Sequence, residues 1–443
     1  MKTGKIHLIG ICGSGMSSLA LWYNHLGFQV TGCDRDPGEN LRELEDRGIE
    51  VHAGHDPAHV EECDAVVFSA AVPFHSPELV LARERGIRVL RRSEALAELA
   101  NGSRLVAVAG THGKTTVTAM TGWILEKAGM DPTVMVGGRV TAWNGNFRPG
   151  GNLAVVEADE FDRTFLRLQP DSAAVTSFGI DHLECYGSPE ALKMAFSVFL
   201  EMTRPGGSVV VPISDTQLAR WARRIGRRVI TAGQGGDVFC RELKRRGWEQ
   251  DYVIDGISGT LPMPGAHNLR NAETAMALAE TLGVSRETSV RALESFPGIF
   301  RRLEKIGMLG SSTVISDYAH HPQELDAVLE ALLALSPGRV GVVFQPHLYS
   351  RTASHGKAMG GSLAAAAWSL VLPIYPAREE PVPGITSRLV VDGALKAGGE
   401  SALAERENLA EELGRREADI IAFIGAGSVD AMARELTAGN GAE

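Results

Sequence analysis

The sequence predicts an α/β fold of three units in series, covering residues 1–101, 102–298 and 299–443. Three observations predict it. Short apolar runs alternate with amphipathic helical stretches along the chain, the pattern of parallel sheets with helices on their faces. Two of those runs end in a glycine turn that opens a helix, one near Gly13 and one near Gly110. A length of 443 residues also exceeds what one hydrophobic core usually supports.

In the first unit, Ile6–Ile11 reads as a strand, Ser17–Leu26 as an amphipathic helix, and Phe28–Cys33 as a second strand ending at Asp34. Further runs lie at Asp64–Ser69 and Ile87–Leu90, and the turn cluster Asn101-Gly102-Ser103 suits a linker. The turn Gly10–Met16 turns backbone N–H groups and a helix N-terminus toward an anion, the physics of a pyrophosphate site. Its candidate ligand-binding residues are Gly13, Ser14, Gly15 and Met16, with Asp34 closing the next strand about 20 residues on, as in a Rossmann-like dinucleotide fingerprint. Ser18 stands where the third glycine of GxGxxG belongs. NAD and another diphosphate-bearing ligand therefore satisfy this turn equally.

The second unit begins with the run Leu105–Ala109, continues into Gly110-Thr111-His112-Gly113-Lys114-Thr115-Thr116, and is helical to about Ala128. Strand, glycine-rich loop, helix is the arrangement that cradles a nucleotide phosphate tail. Lys114 can reach the β- and γ-phosphates, and the Thr115 hydroxyl suits Mg²⁺. Val108 replaces the first glycine of the usual GxxxxGK[ST] spacing. Other strands are expected at Leu153–Val156, Ala173–Thr176 and Val209–Val211, with a small β excursion between Gln234 and Pro264. Glu157 should emerge at the sheet's carboxyl edge, where open α/β sheets bind ligands, as a hard oxygen donor for Mg²⁺. Asn268–Leu282 reads as a helix with Asn268 as its N-cap.

Phe296-Pro297-Gly298 marks the break into the third unit. Strands are expected at Val314–Ser316, Val340–Phe344, Ser369–Ile374 and Ile420–Ile424, with a helix over Pro322–Leu335 and another at the C-terminus. His320 and His321 are adjacent and cannot share a helix face, so they do not form a two-histidine metal site. Arg351 can hold a carboxylate with a bidentate fork.

Composition narrows the partners. With 44 Lys and Arg against 54 Asp and Glu, the net charge is −10, which argues against nucleic acid or an acidic membrane as the main ligand. The five cysteines are scattered, with no metal-like spacing, as expected of reduced thiols in the cytoplasm. The N-terminal apolar run ends in a glycine turn and reads as a strand, not a signal peptide. The apolar segment Leu363–Pro376 is too short for a membrane span. Monomer and dimer both remain open.

The loop Ala109–Thr116 resembles the ATP loop of the Mur ligases, three-domain cytoplasmic enzymes that build the peptide stem of peptidoglycan. The resemblance extends over nearly the whole chain. It is carried by Val156-Glu157-Ala158-Asp159-Glu160, Asp181–Gly187, Asp317–Pro322, Phe344–Thr352 and Ile374–Pro381, in that order. It implies a UDP-binding first domain, a P-loop ATPase central domain and a Rossmann-like C-terminal domain. The activity implied is ATP-dependent addition of L-alanine to UDP-N-acetylmuramic acid through an acyl phosphate; the alternative amine is a whole tripeptide, as in the recycling ligase of the family. The resemblance assigns Mg²⁺ to Glu157 and His182, adenine to Asn268, the nucleotide or transferred charge to Arg302, and the UDP-sugar to the first glycine turn and Ser69. It also places Asp317, His320, His347 and Arg351 on the amino-acid side. The proton acceptor for the amine is left between His182 and water.

The chain departs from the family pattern at several positions. Ser177 stands for an asparagine, Glu184 for an aspartate, Leu348 for an arginine, Ser428 for an aspartate, and Phe161 where serine is common. These changes leave the ATP chemistry in place and bear on which amine is used.

Overall fold

The computed structural model describes residues 4–35, 37–38, 40–160, 163–179, 183–377 and 379–439. It is an α/β protein, as the alternation of apolar runs predicts. By mutual contacts the chain divides into two units. One comprises Met1–Arg241, Tyr252–Gly259 and Arg270–Pro297; the other comprises Glu242–Asp251, Thr260–Leu269 and Gly298–Glu443.

The first unit holds two large sheets. Strands β1 (Lys5–Ile9), β2 (Gln29–Asp34), β3 (Glu50–Ala53), β4 (Ala65–Phe68) and β5 (Arg88–Arg91) form a sheet in the order β3-β2-β1-β4-β5. Every pairing in it is parallel. The order reverses at β1, so the crevice beyond its carboxyl end is where such sheets bind ligands. The second sheet comprises β6 (Arg104–Ala109), β7 (Thr133–Val140), β8 (Gly145–Arg148), β9 (Leu153–Glu157), β10 (Ser172–Val175), β11 (Ser208–Pro212) and β12 (Arg228–Ala232). Its order is β12-β11-β10-β6-β9-β7-β8, which sets β6 and β9 side by side. Leu105 to Ala109 and Ala154 to Val156 are fully buried, which is why they read as unbroken apolar runs.

One apolar core joins these two sheets. It includes Leu8 of β1 with Leu19 and Trp22 of the helix Ser14–His25, and Phe147 of β8 with Phe165 and, from the helix Pro189–Glu201, Phe196. The helix Ser14–His25 reaches β8 through Trp22 and Phe147, with ring centroids 6.4 Å apart.

Strands β13 (Arg241–Arg246), β14 (Glu249–Ile254) and β15 (Ile257–Leu261) form the small β excursion as a three-stranded sheet. The second unit's main sheet contains β16 (Glu304–Leu309), β17 (Ser312–Asp317), β18 (Val340–Phe344), β19 (Trp368–Val371), β20 (Ser401–Leu403) and β21 (Ile420–Ile424), in the order β16-β17-β21-β18-β19-β20. Both faces are apolar, with Leu325, Leu329 and Phe344 on one and Val343, Leu370 and Phe423 on the other.

The helix Pro322–Leu335 has the limits its sequence predicts. Proline takes its first turn, and the His321 ring nitrogen accepts the Gln323 N–H at 3.4 Å. One expectation changes. The helix expected from Asn268 begins at Ala266, so Asn268 is not its N-cap. Gly265, at φ +99°, makes the turn, and Asn268 Nδ2 donates back to the Pro264 carbonyl at 2.8 Å.

Candidate active site

The phosphate loop follows β6 directly. Gly110 has φ +135° and Gly113 φ +83°, both conformations that glycine adopts without strain. A Cβ on Gly110 would lie 2.1 Å from Thr176 Oγ1, and one on Gly113 would lie 2.5 Å from Asn271 Oδ1. Only glycine lets the loop pass this close to its neighbours. The loop is pinned from β10's end: Thr111 N–H donates to the Ser177 carbonyl at 3.0 Å, His112 N–H to Ser177 Oγ at 2.9 Å, and Gly179 N–H to Thr111 Oγ1 at 2.8 Å. Ser177, one of the departures, thus supplies a hydroxyl that orients the loop. Thr116 lies in the first turn of the helix Lys114–Lys127 and is buried.

Lys114 Nζ donates to the Gly110 carbonyl at 2.7 Å and pairs with Glu160, at 3.0 Å to Oε1 and 2.8 Å to Oε2. Burial works against its charge, but the carboxylates of Glu160, Asp159 and Glu157 outweigh burial and hold the lysine above its ordinary pKa. Lys114 therefore stays an ammonium.

Glu157 ends β9 one strand away, at the carboxyl edge as expected. Its Oε1 accepts the Thr115 hydroxyl at 3.1 Å, and its Oε2 accepts the Gly137 N–H at 2.7 Å. Burial pushes its pKa up, with Lys114 pulling the other way. Glu157, Asp159 and the buried Glu160 thus face one ammonium, and carboxylates withdrawn from water are costly without a cation. The hydroxyl and carboxylate donors are both hard oxygens, the set that Mg²⁺ selects. Thr115 and Glu157 therefore fit a magnesium ion. His182, the other expected ligand, lies outside the described residues.

Gly137 also reaches the first sheet. Its carbonyl accepts Ser14 Oγ at 2.9 Å, and Asn146 Nδ2 donates to the Ser14 carbonyl at 2.8 Å. The structure thus brings the N-terminal glycine turn and the phosphate loop onto neighbouring elements. Gly13 caps the helix Ser14–His25, and a Cβ on Gly15 would lie 2.8 Å from Arg92 Nη1. The Met16 side chain is in the core, and its N–H bonds Gly13 at 2.9 Å. Asp34 accepts the Cys12 N–H at 2.9 Å, and Ser69 Oγ accepts the Ala71 N–H at 3.2 Å. These two side chains shape the turns that flank β1.

The second unit gathers another group. The rings of His320 and His347 lie 6.1 Å apart, His347 stacks on Tyr375 at 5.7 Å, and Arg351 Nη1 lies 3.5 Å from His347 Nδ1. His320 Nδ1 lies 3.0 Å from the Tyr318 carbonyl, and burial holds its pKa below the usual histidine value. The Arg302 guanidinium sits 5.3 Å over the Tyr318 ring. Asp317 is buried and caps its own turn, accepting N–H groups of Leu303 at 2.7 Å and Ala319 at 2.8 Å.

Glu160, Asn271 and Gly137 were not singled out from the sequence. Glu160 sits within Val156–Glu160, whose first carboxylate drew the assignment to Glu157. Gly137 lies in β7, a strand whose Gly137-Gly138 pair hides its apolar run.

A phosphate loop, an internally paired lysine and a half-buried carboxylate–hydroxyl pair on an α/β sheet define a nucleotide-dependent enzyme. The description "Mur ligase family, catalytic domain" matches residues 5–104, "Mur ligase middle domain" residues 108–279, and "Mur ligase, glutamate ligase domain" residues 301–432. The UDP-N-acetylmuramate–L-alanine ligase of Kineococcus radiotolerans is 41% identical, covering 98% of this chain and 96% of that protein. The protein of the same name from Sinorhizobium fredii is 37% identical, with 98% and 96% covered. Among solved structures, the UDP-N-acetylmuramate-alanine ligase of Thermotoga maritima matches with TM-score 0.84 and 27% identity over 99% of each chain. A murein peptide ligase from Psychrobacter arcticus shares the fold, with TM-score 0.72 and 24% identity over 99% of each chain. The chain belongs to the Mur ligase family, and it is a ligase.

Proposed function

We propose that this ligase uses ATP to join the lactyl carboxylate of UDP-N-acetylmuramic acid to the amine of L-alanine. The observation that carries the proposal is the Lys114–Glu160 and Thr115–Glu157 arrangement at the end of β6, which can hold a triphosphate tail and a magnesium ion together. The names of relatives about 40% identical over nearly their full length support the choice of substrates.

In this reading a carboxylate oxygen attacks the γ-phosphorus of ATP in line, and ADP leaves. The amine then attacks the acyl carbon, and phosphate leaves with the bridging oxygen. Lys114 exchanges Glu160 for a phosphate oxygen and offsets charge that develops on the transferring group. The backbone amides of Gly110, Thr111, His112 and Gly113 cradle the tail, with Thr116 packing the helix start behind them. Thr115 and Glu157 would hold Mg²⁺, with His182 as a further ligand; the ion neutralises phosphate charge. Asn268 and Arg302 serve the nucleotide. Gly13, Ser14, Gly15, Met16, Asp34 and Ser69 form the turns for the UDP-sugar. His320, His347 and Arg351 receive the amino acid, with Arg351 facing its carboxylate. Among the described residues no helix is long and apolar enough to cross a membrane. Cys12, Cys33, Cys63 and Cys240 are buried thiols outside any disulfide, in keeping with a cytoplasmic enzyme.

Phosphate release with ATP and UDP-N-acetylmuramic acid, measured across glycine, L-serine, L-alanine and the tripeptide, tests the reading. The expected result is release dependent on both co-substrates and fastest with L-alanine. Preference for the tripeptide would reassign the amine, and no release with any amine would remove the proposed activity.

A further inference from the structure

The first sheet carries a cluster of metal-ligating side chains that the proposed ligase chemistry does not use. His7 lies on β1 and Cys33 on β2; His55 and His59 follow β3; Glu78 is in the helix Pro77–Glu84. They meet on the face of the sheet that packs Val60, Leu79 and Ala82. Cys33 Sγ lies 3.5 Å from His55 Nδ1 and 3.5 Å from Glu78 Oε1, and the latter two atoms are 2.9 Å apart. Ligand atoms of Cys33, His7 and His59 likewise all lie within 4.8 Å of one another.

These spacings are those of a coordination shell. Tetrahedral zinc bonds of about 2.0–2.3 Å place neighbouring donors roughly 3.3–3.7 Å apart. The triad needs little more than a small opening of the His55–Glu78 edge. A second observation is independent of the spacing. His7 is fully buried, and its Nδ1 is 2.9 Å from Thr31 Oγ1 while its Nε2 has no hydrogen-bond partner. His59 Nδ1 and Glu78 Oε2 are buried without a partner as well. Three orphaned polar atoms in one cluster are unusual, because buried polar groups are almost always satisfied. A ring held by one nitrogen with the other left open is the form a metal-ligating histidine takes. Glu78 is also fully buried, and His55 is its one ion-pair partner among the described residues.

We propose that Cys33, His55 and Glu78, with a ring nitrogen of His59 or His7 as fourth donor, bind a single divalent transition ion of the zinc class. The mixed thiolate, imidazole and carboxylate set selects such an ion over magnesium, which takes oxygen donors. Binding converts the Cys33 thiol to a thiolate bonded to the ion, and the proton leaves to solvent. Burial disfavours the free thiolate, so the ion and the deprotonation arrive together. His55 is the solvent-exposed member and offers the entry path. The ion would fasten β2 to the helix Pro77–Glu84. The Cys33 carbonyl meanwhile accepts the N–H groups of Gly10 at 2.8 Å and Ile11 at 3.2 Å, so the staple sits against the first glycine turn.

The test uses the full-length chain, stripped with a chelator and titrated with Zn²⁺ against a chromophoric competitor, and separately with Co²⁺. The proposal expects one equivalent of Zn²⁺, a thiolate-to-cobalt charge-transfer band, loss of that band in Cys33→Ser, and at least tenfold weaker Zn²⁺ binding in His55→Gln. His55 is exposed, so the second variant remains informative where the first fails to fold. Absence of stoichiometric binding, or binding with unchanged affinity in His55→Gln, overturns the proposal. So does a cobalt band that persists in Cys33→Ser.

Discussion

Lys114 Nζ lies 2.8 Å from Glu160, and the two side chains are enclosed, 13% and 3% exposed. The lysine expected to grip ATP is therefore already neutralised by a carboxylate of its own chain. In the proposed reaction ATP replaces that partner, and removing the lysine strands a buried charge. Breaking a buried pair from one side costs about 3–5 kcal/mol. Lys114→Ala is expected to abolish phosphate release, keep UDP-substrate binding, and lower the thermal midpoint. Lys114→Ala with Glu160→Gln should recover most of the midpoint and none of the activity. Calorimetry of the pair checks the stability half, and a single variant as stable as the parent contradicts it.

Glu157 divides its two oxygens between Thr115 and Gly137. Glu157→Gln can keep a carbonyl acceptor for one of these donors but loses the charge. The variant should need far more Mg²⁺ for half-maximal rate and lose roughly 10²-fold in kcat, the scale of removing one charge-stabilising group. A magnesium titration of phosphate release decides; an unchanged requirement rules out Glu157 as a ligand.

A pH effect should arise away from the site. Burial raises Glu273 from the usual carboxylate range to about 7, although the Cys240 N–H at 2.7 Å pulls the other way. Its folded pKa lies above its unfolded value, so its contribution is fully present below about pH 4.5 and is lost as pH rises through about 7. The difference corresponds to about 3 kcal/mol. Glu273→Gln should match the parent in urea unfolding near pH 4 and exceed it at pH 8. Equal stability at both pH values would falsify this reading.

Arg351 lies beside His347 in the second unit. Losing a charge-assisted hydrogen bond costs about 1.5–3 kcal/mol. Arg351→Ala should therefore raise KM for L-alanine ten- to about a hundredfold while KM for ATP stays within about threefold. An equal rise for both co-substrates would place the arginine elsewhere.

Much of this was legible in the sequence, for a physical reason. Strands buried on both faces, such as β6, β9, β18 and β21, are uniformly apolar, and their limits fall within about two residues of those expected. The phosphate loop was legible because its glycines and lysine are contiguous. The edge strand β5 was expected at Ile87–Leu90, but the edge strands β3 and β16 were not. β3 has the short, mixed sequence Glu50-Val51-His52-Ala53, and β16 is an antiparallel edge strand whose register shifts between Lys305 and Gly307. Site residues that act through long-range contact were hidden too. Nothing local marks Gly137 as the N–H donor to Glu157, Asn271 as the wall against Gly113, or Glu160 as the partner of Lys114. The histidine cluster was equally invisible, because its members are dispersed from His7 to Glu78 and meet only when β1, β2 and the helix Pro77–Glu84 pack.

Oxygen tracing tests the central chemistry most directly. UDP-N-acetylmuramic acid labelled with oxygen-18 in both lactyl carboxylate oxygens is turned over with ATP and L-alanine. The released phosphate is expected to carry one labelled oxygen and the amide the other, with ADP unlabelled. Unlabelled phosphate, or label recovered in AMP, would contradict an acyl phosphate formed at the Lys114 loop.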